Sequence, residues 1–425
     1  MGKIWQNLAK FENTPTHPAA ITISLTEEAA ARILFGMKQG LPNVKRHAYS
    51  RRVTGYIVLG LLTTVLYQPV VAFSLTDVPG PINDAAMQLV QFCIEPKAGL
   101  DEHAIATLVN YVLSSKQNRE YALLNSQKSS GAYYEFDTKI TFSRFVEYSY
   151  NPLIPSVITR PSSVRYSIWT GLRGETQRLL DSWRPVPSAG VPVVIHGFQR
   201  EADTPDATTG VYHEYDLKRT LILLNYNERQ VLLTVSKQIG ESNVGKRGAI
   251  LGNDNDWTYY YSGVPGSSRT GFGWVKSYIY DFFSVGVYVE SNTAPPMVRA
   301  GIFQWLRAGW SGMNFVKSGH ILNGIKRSAL CRKMILESPR LPPPSQIISV
   351  YQWLSNMPTS ELIKKYAALQ QALRSSAFQV GIISKSQLDE QVSFANTPRE
   401  QMVEELMLEY LKMTIGKQTL LEEQF

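Results

Sequence analysis

The sequence predicts an α+β protein with a central, mostly antiparallel β-sheet flanked by N-terminal and C-terminal helices. One hydrophobic export or anchor segment precedes it. Three observations carry that prediction. Two helical stripes open the region after the hydrophobic segment. A long series of strand-like runs follows, with few helical patterns between them, which indicates an antiparallel sheet rather than βαβ units. A helical block closes the chain after Pro339-Arg-Leu-Pro-Pro-Pro344.

The first 52 residues form a basic leader or cytoplasmic tail. Residues 1–74 hold eight Lys and Arg against three acids, so they carry +5 of the chain's formal +8. Lys45, Arg46, Arg51 and Arg52 stand just before the uncharged run Val53 to Thr76, and Asp77 and Asp84 follow it. Basic residues ahead of an apolar run obey the positive-inside rule, which places the chain beyond residue 75 outside the cytoplasm. Residues 53–74 are a signal peptide or a single transmembrane helix. The apolar heart, Val53–Leu66, has the length of a signal-peptide core and is short for a span. Gln68-Pro69 breaks a helix, and Val70-Val71-Ala72 offers a cleavage point. The signal peptide therefore ranks ahead of the anchor, and a buried soluble helix ranks last. A start at Met37 would give a short basic leader of ordinary length.

Residues 75–130 form a helical segment. Ile82, Ala86, Leu89 and Cys93 share one helical face. In residues 101–115, Asp101 and Glu102 favour a helix start, and Ile105, Leu108, Val109, Val112 and Leu113 form the apolar stripe. Residues 131–293 form the antiparallel β domain. Phe136, Thr138, Ile140 and Phe142 alternate with polar neighbours. Strands are also expected at Phe145–Tyr150, Val164–Trp169, Val191–Phe198, Thr220–Leu224, Val231–Lys237, Trp257–Ser262, Trp274–Tyr280 and Ser284–Glu290. Asn225-Tyr-Asn-Glu-Arg229 reads as a hairpin turn between two of them. Residues 294–425 form the helical C-terminal region. Its last helix starts with Thr397 as cap, Pro398 in the first turn and Glu400 closing a capping box. Met402, Val403, Leu406, Met407, Tyr410 and Leu411 form its buried stripe.

The composition narrows the function classes. A 44% hydrophobic chain with two Cys in 425 residues is neither disordered, nor collagenous, nor a disulfide scaffold. One uncharged stretch of near-membrane length excludes a multi-span transporter. Nucleic acid is not an expected partner, because the basic excess lies in the leader and not on the folded part.

Motifs for chemistry are weak. Val193-Val-Ile-His-Gly-Phe198 looks like an oxyanion-hole turn, but the chain has no Gly-x-Ser-x-Gly elbow, so His196 reads as a strand histidine. Gly252-Asn-Asp-Asn-Asp256 clusters oxygen ligands but departs from the calcium-loop spacing, so a solvated turn is the better reading. The six His do not cluster. No cofactor, catalytic or metal residue is assigned from this pattern.

Residues 298–340 carry eight Lys and Arg against Glu337, with aromatics interleaved. Arg299, Trp305, Arg307, Trp310, Lys326 and Arg327 are candidates for contact with an anionic membrane surface or a lipid-like ligand. Trp257, Tyr259 and Trp274 on aromatic strands are candidates for an apolar cavity wall. The competing reading makes these aromatics ordinary sheet core. Cys93 and Cys331 form a possible disulfide if the chain is exported, against two buried free thiols.

The function expected is that of an exported or membrane-tethered bacterial envelope protein. It would be periplasmic or secreted after cleavage near Ala72, or held in the inner membrane by residues 53–74. Non-catalytic binding of an apolar or lipid-like ligand leads. An envelope hydrolase with Ser262, Ser267 or Ser284 near His196 or His213 is the first alternative. An assembly partner acting through the C-terminal helices is the second.

Overall fold

The computed structural model describes residues 78–421, apart from 173–178, 188–189 and 270–272. The leader, Met37, the 53–74 segment and Ala72 lie outside the described residues. Among the described residues, no helix is long and apolar enough to cross a membrane.

Helices α1 (Gly80–Ile94) and α2 (Glu102–Leu113) open the fold. Asp101 caps α2 by accepting from the Ala104 amide at 3.0 Å, which satisfies one of the open amides of the first turn. Strands β1 (Glu120–Ser126) and β2 (Ser129–Thr138) follow, then helix α3 (Phe142–Tyr150). Next come β3 (Val164–Gly171), β4 (Val193–Asp203), β5 (Val211–Tyr212), β6 (Glu214–Tyr226) and β7 (Arg229–Ile239). Shorter strands β8 (Lys246–Ile250), β9 (Tyr259–Pro265), β10 (Ser267–Arg269) and β11 (Gly273–Val275) lead to β12 (Tyr278–Thr293) and β13 (Pro296–Gly309). Helices α4 (Ser318–Leu336), α5 (Pro344–Asn356), α6 (Thr359–Gln379), α7 (Lys385–Asp389) and α8 (Arg399–Thr414) complete the chain.

Eight strands form one sheet in the order β1-β2-β13-β12-β7-β6-β4-β3. Every neighbouring pair in it is antiparallel. The expected α+β class with a central antiparallel sheet and flanking helices is the observed one. The turn read at 225–229 is the β6–β7 hairpin. Asn227 and Glu228 take φ of 50° and 64° between the paired residues Tyr226 and Arg229. Two left-handed residues in a two-residue loop match the twist of the strands they join.

The two sheet faces differ. Val231, Leu233 and Val235 of β7 and Phe283, Val285, Val287 and Val289 of β12 point to one face. There they pack with Phe303 and Trp305 of β13 under the stripes of α1 and α2. This face is dry and aliphatic. The other face lies under α3, the loop after it, and the C-terminal helices. It begins apolar, with Ile195, Leu221, Leu223 and Leu232, and then turns polar. Gln304, Ser284, Ser236 and Arg219 are consecutive partners on β13, β12, β7 and β6 and form one polar row.

Several expected elements are corrected. Phe145–Tyr150 is not a strand but part of α3, where Phe142, Phe145 and Val146 are buried at helical spacing. A short run of this kind fits both periods. Residues 75–130 are not wholly helical, because β1 starts at Glu120. Residues 294–425 are not wholly helical either. Pro296–Gly309 is β13, paired with both β12 and β2. With both faces covered, apolar residues occur at successive positions there, and the alternation is masked. Helix α8 starts at Arg399 with Pro398 as N-cap and no side-chain cap bond, so the Thr397 capping box does not form.

Candidate functional site

A cavity of about 450 Å3 lies between the polar part of the sheet face and its helical cover. The sheet supplies Gln199, Glu201, Arg219, Thr234, Ser284, Gly286 and Tyr288. The cover supplies Tyr150 from the end of α3, Arg160 from the following loop, Arg332 from α4 and Glu404 from α8. Phe136, Ile302, Leu306 and Ile325 give it an apolar wall.

Its polar groups form a connected set. Arg219 donates to Gln199 Oε1 at 2.7 Å and to Glu201 Oε1 at 3.0 Å, and also to Ser236 Oγ. Arg160 donates to the same Glu201 oxygen at 3.1 Å, and Ser167 Oγ donates to it at 2.8 Å. Burial alone would raise the Glu201 carboxyl, but Arg160, Arg219 and Ser167 outweigh burial and hold it below the usual value. Glu201 is therefore ionised at neutral pH.

Glu404 is the opposite case. It is 5% exposed, and Oε1 accepts the Ser167 amide at 3.2 Å. Oε2 is buried without a partner. Burial is the largest effect and pushes its pKa up to about 8, with the Ser167 amide and Arg160 opposing. Two carboxyls in one cavity thus hold different protonation states at pH 7.

Arg332 is 6% exposed. It donates to the Tyr288 hydroxyl at 2.9 Å. Its Nε has no hydrogen-bond partner, and among the described residues no carboxylate pairs with it. Burial alone would raise the Tyr288 phenol. Arg332, Tyr150 and Arg160 overcome that and hold it below its usual value. Gly286 makes room for this contact. A Cβ there would stand 3.0 Å from the Tyr288 ring and 3.2 Å from its hydroxyl.

The residues singled out from sequence are mostly elsewhere. Of them, Arg327 and Ser284 line the cavity, and no histidine among the described residues lines it with Ser284. Arg327 is held by Asp254, with Nε to Oδ2 at 2.6 Å, and its charge lies 5.7 Å from the Tyr259 ring. Asp254 belongs to the oxygen-rich loop, so that carboxylate serves an arginine. Asn253 and Asp256 close a capping box on the same loop. Arg299 is buried and bonds Glu135 at 2.9 Å and Asp137 at 3.1 Å. Trp305 is fully buried on the dry face, stacked on Phe283 at 5.2 Å. These two are core, not a membrane-facing surface. They project from a strand whose sides both pack. Arg307 lies over the Tyr280 ring at 5.0 Å, and Trp310 stacks on Phe315. Lys326 pairs with Glu120. Trp257 is buried beneath Lys417, whose Nζ is 4.3 Å from the ring centre. Trp274 lies in β11.

Cys93 and Cys331 are both buried and both free, so the possible bridge does not form and the reading as two buried thiols holds. Cys93 packs on the dry face of the sheet and Cys331 on the other, which keeps them apart.

The serines and histidines considered for hydrolysis do not assemble as expected. His196 Nδ1 is 2.9 Å from Thr220 Oγ1, and Ser262 donates to the Arg247 carbonyl. His213 Nδ1 stands 3.6 Å from Asp203. Ser277, which the sequence did not single out, is the serine near it. Its Oγ and His213 Nε2 lie 2.5 and 2.7 Å from where a Gly245 Cβ would be. Both atoms are buried, so a substrate has no access to them. The apolar stripe of α8 is also spent internally.

Sequence reasoning missed Arg160, Glu201, Arg219, Tyr288 and Glu404, and counted Arg332 only within a basic block. One signal was present. Glu404 lies three residues before Met407 and seven before Leu411, so a charge sits on the buried stripe. No family model matches the chain, and no curated protein matches it significantly.

Proposed function

We propose that this is an exported or membrane-tethered envelope protein that binds a small ligand with an apolar body and performs no chemistry on it. The observation that carries the reading is the 450 Å3 cavity with one apolar wall and one polar end. Ligand pockets commonly have such volumes, with a few polar groups that fix orientation. The basic residues ahead of Val53 support export. The apolar wall of Phe136, Ile302, Leu306 and Ile325 supports a hydrocarbon body.

The test is native mass spectrometry of the full chain after mild purification from the envelope fraction. A co-purifying amphiphile is expected, displaced by Ile302→Trp, which fills the apolar wall. A bare protein mass under several detergents, together with no thermal stabilisation by any lipid class, would refute the reading. A full-length chain in the cytoplasmic fraction would refute its location.

A further inference from the structure

We propose that the polar end of this cavity is a binding site for one oxyanion, centred on Arg332 with Arg160 and Tyr288 beside it. On the reading that the cavity binds an apolar-bodied ligand, that ligand is an amphiphile ending in a carboxylate or a phosphate. Buried charges are normally paired, because an unpaired one costs several kcal/mol of lost hydration. This cavity departs from the rule in one direction. Arg160, Arg219 and Arg332 line it, and Glu201 is its ionised carboxylate. Glu201 Oε1 already accepts from Arg160 and Arg219. Arg219 is further occupied by Gln199 and Ser236. Arg327 is occupied by Asp254. Glu404 is mostly protonated at neutral pH and supplies little charge. The remaining acids lining the cavity do not compensate. Asp206 and Glu400 are exposed at its rim, and Asp203 is engaged with His213.

The surplus falls at Arg332. Among the described residues its one hydrogen-bond acceptor is the Tyr288 phenol, its guanidinium lies 5.6 Å from the Phe145 and Tyr288 rings, and its Nε is a buried donor without a hydrogen-bond partner. A guanidinium offers a planar fork that matches the two oxygens of a carboxylate or phosphate. Tyr288 fixes one arm of the fork, and Gly286 leaves space for that tyrosine. The apolar wall begins within the same cavity, so a chain attached to the anion has a dry surface to lie on.

The test uses the full chain after delipidation, titrated calorimetrically with probes that differ only at the head. Dodecanoate and dodecyl phosphate carry the oxyanion. Dodecanol is neutral, and dodecyltrimethylammonium is cationic. Acetate and inorganic phosphate are the anions without a chain. Dodecanoate or dodecyl phosphate should bind about ten- to a hundred-fold tighter than dodecanol, the range of one charge-assisted hydrogen bond set. The cation should bind more weakly than the alcohol. Arg332→Met should bring dodecanoate down to the level of dodecanol while dodecanol binding persists, which also shows that the variant is folded. Arg332→Lys keeps the charge without the fork and should recover part of the difference. Equal affinity for all heads would overturn the oxyanion site and leave the apolar-ligand reading standing. Binding of acetate or inorganic phosphate alone, lost in Arg332→Met, would keep the site and overturn the apolar ligand. No binding of any probe would overturn both.

Discussion

Glu404→Gln should make the protein more stable as the pH rises from 5 to 8. The carboxyl has a folded-state pKa of about 8 against a usual value near 4.5, chiefly because it is buried. The folded protein therefore holds a proton in that interval that the unfolded chain has released. Stability from this group is fully present below about pH 4.5 and is lost progressively as pH rises toward 8. At about 1.4 kcal/mol for each pH step, the full loss is about 5 kcal/mol, and about 3 kcal/mol has gone by pH 7. Gln has the shape of the neutral acid and does not titrate. Its Oε1 can still accept from the Ser167 amide, the bond that Glu404 makes. The variant should match the parent near pH 5 and exceed it by about 2–5 kcal/mol at pH 8, the lower figure allowing for relaxation around the ionised acid. Thermal unfolding followed by near-UV circular dichroism across pH 5–8.5 measures this. Other titrating groups act equally in both proteins, so the difference isolates Glu404. A difference that stays flat over the range, or that grows toward acid, would refute the burial argument.

Three further outcomes follow from named contacts. Binding of dodecanoate should weaken as pH rises through about 8. Ionised Glu404 then cancels one of the surplus positive charges, and the weakening should vanish in Glu404→Gln. The groups facing Glu404 are Arg160, Glu201, Tyr351 and the Ser167 and Val157 amides, so a titration centred far from 8 would assign the effect to another group. Arg299→Ala should cost about 3–5 kcal/mol, because it strips a partner from Glu135, which is fully buried. Arg119 and the Tyr133 hydroxyl also donate to Glu135, and a loss under about 1 kcal/mol by urea denaturation would show that these two satisfy the carboxylate. Cys93 and Cys331 should both be found reduced and unlabelled by thiol reagents until the protein unfolds. Burial raises both thiols, Cys331 to about 11, and the reactive form is the thiolate. A bridged species in non-reducing mass analysis, or a drop in Tm on adding reductant, would contradict the structure.

The fold was legible where one face of an element differs from the other. The α1 and α2 stripes appear in sequence because one side of each helix packs on the sheet. The β6–β7 hairpin was legible because its turn residues have their own chemistry. Legibility failed at Pro296–Gly309. That strand buries Val298 and Ala300 on one side and Phe303 and Trp305 on the other. Its glycines and arginines then suggested a helical surface. Phe142–Tyr150 failed for a related reason, since nine residues do not separate a period of two from one of 3.6.

The site was illegible as a motif because its members come from separate elements and meet only through register and packing. Yet part of it was written in the strands. In β7 the residues facing α1 and α2 are Val231, Leu233 and Val235, while the alternate set runs Leu232, Thr234, Ser236. In β12 the corresponding sets are Phe283, Val285, Val287, Val289 and Phe282, Ser284, Gly286, Tyr288. Hydroxyls on the second face would ordinarily mean solvent. Here that face carries helical cover, and Ser236 is buried beside Arg219. A polar row beneath such a roof costs free energy unless its groups find partners. Arg219 supplies them for Ser236, Gln199 and Glu201 and is used up in doing so. Arg332 descends from the roof onto the same patch with a donor left over. Packing alone accounts for the first arginine. The second is packed over the Phe145 and Tyr288 rings, and the proposed oxyanion is what its remaining donor would serve.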